Sequence, residues 1–547
     1  MTHLIVIFFP YCHPEPLSVI LEGGTTEGSP YHKVIHSPHN KTMKNIKNLL
    51  LLATFLSNIG FAQFSESIPT DIWIYESVKI LQISGYFRDL DQGAQPYTRQ
   101  EIAQQIILIN DEMMDTKSVE IEYQRLVTEF NRDIAYLENS KSFKEDNIRL
   151  SSMFKDIYND KKNYLFYRLS GALNIKSGFT LKYSAYIDQR LNDDPFYNGY
   201  KWRGFQGYQE QMYIAYNRDN FSLKYGRDYV KWGYGNSGRL FISDNSRAFD
   251  MLTLKIQTKW MSFNTFISQL DNMYSANRYL TATRAEIKLK NKVYIGAGQL
   301  ALYGGQNQAF DFTMSNPLAI YSFTQDNDHK PMNMMLYTDF AYYFRNRYKF
   351  YGEFLIDDFQ IDREEKGDLE PNELAFLFGV EGIDLIFGIN GWCEFTQVRN
   401  RTYNVPDARP FEKYLHKNLP IGHPLGTDFQ SFNCKFDRWF GNRLKLGLEY
   451  VLIRKGEGTI RGTFTEPWMD DEVTMATGYE EKIPYGIVET TNNLSCSIHY
   501  EYNTHIQSDV SIGFEQIENS DHIEGRKRSN PFINISLIVD YNWLLKM

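Results

Sequence analysis

From about Asn163 to the C-terminus, apolar and polar residues alternate with a period of two, the spacing of strands with two unlike faces. Phe221, Leu223 and Tyr225 are separated by Ser222 and Lys224. Ile287 and Leu289 flank Lys288, and the run resumes at Val293, Ile295 and Ala297. Tyr348, Phe350, Phe354 and Ile356 continue it, as do Leu444, Leu446, Leu448 and Tyr450. The last stretch is the clearest. Ile533, Ile535, Leu537, Val539, Tyr541 and Trp543 share one face, while Asn534, Ser536, Asp540 and Asn542 share the other. A run of about ten such residues ending in aromatics has the length and pattern of a tilted membrane-spanning strand. Short connections such as 217–220 and 346–347 alternate with long ones at 190–207, 228–248, 303–330, 399–427 and 455–485. Small turns on one rim and large loops on the other are the habit of outer-membrane barrels, and the chain holds roughly 16–18 such strands.

Ahead of this region the period lengthens to that of a helix. Trp73, Ser77, Ile80 and Leu81 form one stripe, ending at Gly85. Thr98-Arg99-Gln100-Glu101 is a capping box that opens a second helix, with Ile102, Ile106 and Ile109 on its buried face. Val119, Tyr123, Leu126, Val127, Phe130, Ile134 and Leu137 predict a third. The stripes suit packing against one another or against the barrel. The reading is therefore mainly β: a large antiparallel transmembrane β-barrel over 161–547, with an N-terminal α-helical bundle over 63–160.

Composition agrees with this. Aromatic residues make up 15% of the chain, with 38 Tyr and 38 Phe, while mean hydropathy is negative at -0.45. Membrane helices need long apolar runs, whereas a barrel wall averages lipid-facing and lumen-facing residues. A net charge of -9 gives nucleic acid no electrostatic footprint. Lys44 and Lys47, the apolar run Leu49–Leu56 and the small residue Ala62 follow the order of a secretory signal peptide over 43–62. Residues 1–42 are unpatterned, so the expected translation start is Met43. Beyond that leader lie Cys393, Cys434 and Cys496. Cys434 and Cys496 fall on apolar faces and read as small hydrophobes; neither a zinc site nor a disulfide scaffold is indicated.

The segment 226–250 carries the most chemistry. Gly226, Gly233, Gly235 and Gly238 allow a tightly folded loop. Arg227, Arg239 and Arg247 supply forked donors, and Tyr229, Trp232 and Tyr234 supply flat faces. Such a set suits a sugar chain, which presents apolar C–H faces and a rim of hydroxyls. It suits equally a structural plug, with Arg and Asp paired inside the lumen. No phosphate-binding loop, HExxH or Ser/His/acid signature occurs, and Asp357-Asp358 reads as strand-end carboxylates. No catalytic residue, metal or cofactor is expected.

The chain resembles the capsule-assembly family typified by Wzi. Four stretches carry the resemblance: Trp73 with Gln95-Pro96-Tyr97-Thr98-Arg99; Gly226-Arg227 through Trp232-Gly233-Tyr234-Gly235 to Leu240, Ser243, Asn245 and Phe249-Asp250; Asn316-Pro317-Leu318; and Tyr351 through Phe359. Gly233-Tyr234-Gly235 stands where much of the family has Gly-Pro-Gly. The resemblance implies an outer-membrane barrel with a periplasmic helical bundle, binding capsular or exopolysaccharide without catalysis. Outer-membrane lipid and other capsule export or assembly proteins are the further partners implied. Arg227, Trp232, Arg239 and Arg247 become candidates for glycan contact or for holding the luminal loop. The alternative class is a porin or transport barrel, which requires an open lumen.

Overall fold

The computed structural model describes residues 62–63, 66–109, 114, 116–138, 146–159, 161–175, 177–197, 199–218, 220–360 and 364–546. The expected translation start and nearly all of the expected signal stretch lie outside them. Eighteen antiparallel strands, from β1 (Asn147–Asn159) to β18 (Lys527–Lys546), form a closed barrel. The ring closes where β18 pairs with β1, Leu544 standing opposite Arg149. Ala62–Gln63 adds a two-residue pairing beside Asn217 and Arg218. Among the described residues, no helix is long and apolar enough to cross a membrane. The wall crosses with strands instead.

Alternation places the apolar set outward. Leu223, Ile287, Phe350, Leu446, Ile533, Leu537 and Trp543 are exposed, while intervening Arg284, Glu286, Asp339 and Glu353 are buried inside. This inverted arrangement, polar within and apolar without, is what a lipid solvent requires. Short connections at 258–260, 290–292, 345–347 and 441–443 occupy one rim; 189–206, 229–248, 306–332, 399–428 and 456–488 leave the other.

Ahead of the barrel the helices are α1 (Ile74–Ser84), α2 (Arg99–Ile107) and α3 (Lys117–Glu138), as the stripes predict; a further helix, Tyr321–Asp328, lies in the connection 306–332. Gly85 ends α1 in the left-handed conformation at φ 105°, which a Cβ would strain. The capping box of α2 forms as expected: Glu101 N–H donates to Thr98 Oγ1 at 3.2 Å, and Thr98 N–H to Glu101 Oε2 at 2.7 Å. The bundle sits at the short-turn rim, where Arg88 donates to Asn291 O (3.0 Å) and Asn346 Oδ1 (3.1 Å). Both packing partners left open by the stripes are used. Val78, Leu81, Ile102 and Phe130 join one core with Trp232, Phe241, Tyr337, Tyr403 and Phe429 of loops and wall.

Two expectations need correction. The barrel opens at Asn147 rather than at 161. Strand β1 escapes the alternation test because its inward set includes Met153 and its outward set includes Ser152. Cys393 and Cys434 are not independent hydrophobes; they form a disulfide. They stand opposite each other on β13 (Asn390–Val398) and β14 (Phe429–Phe440), a register invisible until the strands are paired. Cys434 does keep the outward face of Phe432 and Phe436, and Cys496 is exposed on that of Leu494 and Ile498.

Candidate functional site

The loop 229–248 leaves β5 (Phe221–Asp228) and turns into the lumen before β6 (Phe249–Gln257). Lys231–Trp232 pairs with Ala94–Gln95 ahead of α2, so the loop is stitched to the helical segment by backbone. Its glycine-rich bend is held by two wall carboxylates. Glu353, on β11 (Tyr348–Asp358), accepts the N–H groups of Tyr234 (2.6 Å), Gly235 (2.7 Å) and Leu240 (2.8 Å). Glu394, on β13, accepts those of Asn236 (2.7 Å) and Ser237 (2.9 Å), and the Tyr351 hydroxyl (2.9 Å). A run of N–H groups converging on one point makes an anion nest; here the protein supplies the anion. Gly233 adopts φ 122°, and a Cβ there would lie 2.5 Å from Glu353 Oε1. The glycines thus serve close approach to the wall.

The six sequence-predicted residues separate into four settings. Trp232 and Tyr234 are buried in the lumen core. Trp232 packs on Phe241 and Phe266 at ring distances of 6.1 and 5.4 Å, and the Tyr234 hydroxyl donates to Glu286 at 2.6 Å. Glu286 in turn pairs with Arg284 (2.7 Å), which also holds Asp339. Arg239 lines a luminal cavity of about 550 Å³ with Lys79, Lys231 and Lys349. Burial and the Arg239 charge pull Lys231 down to about 8, although Asp244 lies 3.0 Å away. Tyr229 faces a second cavity, of about 490 Å³, beside Lys255 and Glu101.

Arg227 and Arg247 are at the long-loop rim. Arg227 makes a forked pair with Asp250 (2.8 and 2.6 Å), and Arg247 donates to Asp194 (2.7 Å). Their guanidinium carbons lie 5.9 and 5.5 Å from the Tyr208 ring centre, with Lys417 at 5.3 Å. Sequence reasoning missed the loop beside them, 189–206. Trp202 and Phe205 exchange backbone hydrogen bonds of 3.1 and 2.8 Å across Arg203 and Gly204, both at positive φ. That two-residue hairpin holds Arg203 5.4 Å from the Trp202 ring. Trp202 is 58% exposed and Tyr200 85%. The available signal was Tyr-Lys-Trp-Arg-Gly-Phe inside an otherwise polar loop. Asp357, read above as a strand-end carboxylate, lies at the end of β11 and accepts the Tyr403 N–H at the root of loop 399–428 (2.5 Å).

A closed eighteen-strand wall, apolar outside and filled by helices and loops, defines an outer-membrane-type β-barrel with an occupied lumen. The sequence profile of the family "Capsule assembly protein Wzi" matches residues 139–531, and the chain belongs to that family. Among solved structures, Escherichia coli Wzi, described as an outer-membrane carbohydrate-binding β-barrel involved in group 1 capsule assembly, is 14% identical. It superposes with a TM-score of 0.59 over 87% of this chain and 99% of that one. Pseudomonas aeruginosa OprD (7% identity, TM-score 0.40, 73% of this chain and 95% of that) shows lower similarity. No curated protein sequence matches the chain.

Proposed function

We propose that this protein is a non-catalytic outer-membrane barrel that holds capsular or exopolysaccharide on its long-loop side. The observation that carries the reading is loop 189–206, which exposes Trp202 and Tyr200 and whose Asp194 holds Arg247 in place. Trp202 and Tyr200 offer platforms for sugar C–H faces, and Arg203, Arg227 and Arg247 offer donors to hydroxyls or carboxylates. Ordering these groups before binding lowers the entropy lost on capture. Trp232 and Tyr234 act one layer below, fixing the loop that carries Arg247. Membership of a capsule-assembly family and the carbohydrate-binding description of the E. coli barrel favour the same ligand class. Residues 43–62 would direct export. The bundle would then face the periplasm, where other capsule export or assembly proteins can meet it.

Deleting the gene and staining surface polysaccharide tests the reading. Retained polymer falls on deletion and returns with the wild-type gene, but only in part with Trp202→Ala combined with Arg247→Ala. Unchanged retention, together with no polymer binding by purified protein, overturns it. Single-channel recording separates this role from a transport barrel, which conducts.

A further inference from the structure

The loop 306–332 does not stand over the barrel mouth. It joins β9 (Val293–Gly305) to β10 (Asn333–Phe344) and folds back against the outside of the wall. Side-chain parity fixes the side. Gly296 and Gly298 face inward, next to Asp339 and Phe241, so Gln299, Ala301 and Tyr303 face outward. Yet Ala301 and Tyr303 are buried, in a cluster with Met314, Tyr321 and Met332 of the loop. Gln299, a polar residue on a lipid-facing wall, is explained by the same cover. Its side-chain amide donates to Ala319 O (2.5 Å) and its carbonyl accepts from Tyr321 N–H (3.2 Å).

From these contacts we infer that 312–323, the apolar stretch of this loop, is a flap seated in the acyl layer of the leaflet at the long-loop rim, while the charged ends of the loop, with Lys330 paired to Asp311, stay at its edge. Gln299 lies below the stacked pair Tyr279 and Tyr303, and six residues of tilted strand below Gly305 is a descent of about 15 Å. The flap therefore reaches down the outer wall toward its apolar band, where Ile295 and Phe340 are exposed. Its outward edge matches that setting: Phe312 is 83% exposed and Leu318 81%, with Ile320 and Phe323 also uncovered. Lipid contact requires backbone groups to be satisfied within the protein, and the helix Tyr321–Asp328 with the turn ahead of it does so for part of the segment. Ala319 N–H donates to Asn316 O (3.0 Å), Leu318 N–H to Asn316 Oδ1 (3.1 Å) and Thr324 N–H to Ile320 O (3.2 Å). This gives Asn316-Pro317-Leu318 a role: it turns the chain and presents Leu318. At one end, Phe310 closes an apolar groove of about 1030 Å³ on the outer wall, lined by Leu181, Tyr183, Ile214 and Leu252. The flap edge is continuous with that lipid-facing surface, so its occupant is the acyl chains of the membrane.

Spin labels test the placement. In a Cys12→Ala, Cys496→Ala background, single labels go at Leu318→Cys and Phe323→Cys, with Leu336→Cys as wall reference and Asp471→Cys, exposed in loop 456–488, as aqueous reference. The full chain is reconstituted in phosphatidylcholine vesicles. The expected result is that the Leu318 and Phe323 labels meet oxygen in preference to a water-soluble nickel chelate, as Leu336 does and Asp471 does not. Nickel accessibility equal to that of Asp471 places the flap in water and overturns the proposal. Protection from both reagents with dipolar coupling between copies also overturns it, by assigning the edge to a second barrel.

Discussion

Glu353 holds the glycine-rich bend by a single side chain. It meets three loop N–H groups inside the wall, and among the described residues no cation contributes a hydrogen bond. Glu353→Ala leaves those donors unpaired, at roughly 1 to 3 kcal/mol apiece where water cannot reach them. Amide exchange at Tyr234, Gly235 and Leu240 should rise sharply in this variant, while β18 keeps its protection. Glu353→Gln should fall between the two. Equal protection in all three proteins would show that the carboxylate does not hold the loop. The residue-level reading of 226–250 was legible in kind, since aromatic rings, glycines and arginines do converge on one loop. What sequence could not give was the direction of each side chain. Trp232 and Arg247 lie fifteen positions apart on the same loop, yet one is buried in the core and the other reaches the rim. That split follows from how Glu353 and Glu394 bend the chain between them.

At the level of elements, the alternating strands and the three helices were readable because each has a solvent-defined period. Strand β1 was not, because its mixed faces blur that period. Nor was the Cys393–Cys434 pair, which depends on register. Long loops have no period at all, so neither the hairpin at 202–205 nor the flap could be read. Two of the buried elements should respond differently to acid. His423, in loop 399–428, packs 4.7 Å from the Phe429 ring and is pushed down by burial to about 3. Its folded pKa lies below the unfolded value of about 6.5, so the unfolded loop takes up the proton first. The stability of this seat is complete above about pH 6.5 and declines as pH falls toward 3. Burial raises Glu66 and Glu122, but Lys182 and Arg149 around the first and Arg125 beside the second bring each to about 2. Their contribution persists above about pH 4.5 and is lost only as pH falls toward 2. At pH 5, exchange corrected for intrinsic rates should therefore loosen 399–428 and leave α3 protected. His423→Leu should weaken the loop's response, leaving that of His416, which burial also pushes down, and of Glu412, which burial pushes up to about 7 and whose effect has the opposite sign. A loop equally protected at pH 5 and pH 7.5 would contradict the assignment.

For the whole molecule, the outward apolar wall determines where the protein resides, and the filled lumen determines what it does not rely on. Helices enter from the short-turn rim, two long loops descend from the other, and one core joins them. Wild-type protein in planar bilayers should accordingly give far fewer and smaller openings than a general porin of similar strand number. Fold and family were visible in the alternation and in the four scattered stretches, but the polysaccharide-binding face emerges only when loops distant in sequence meet at the rim. The most direct test of that face is a titration of the full chain, reconstituted in nanodiscs, with surface polysaccharide purified from the producing cell. Saturable binding is predicted, weakened about tenfold or more by Trp202→Ala with Arg247→Ala, a loss of about 1.4 kcal/mol. A wild-type protein that binds no polymer, or a double variant that binds as well as wild type, would contradict the account.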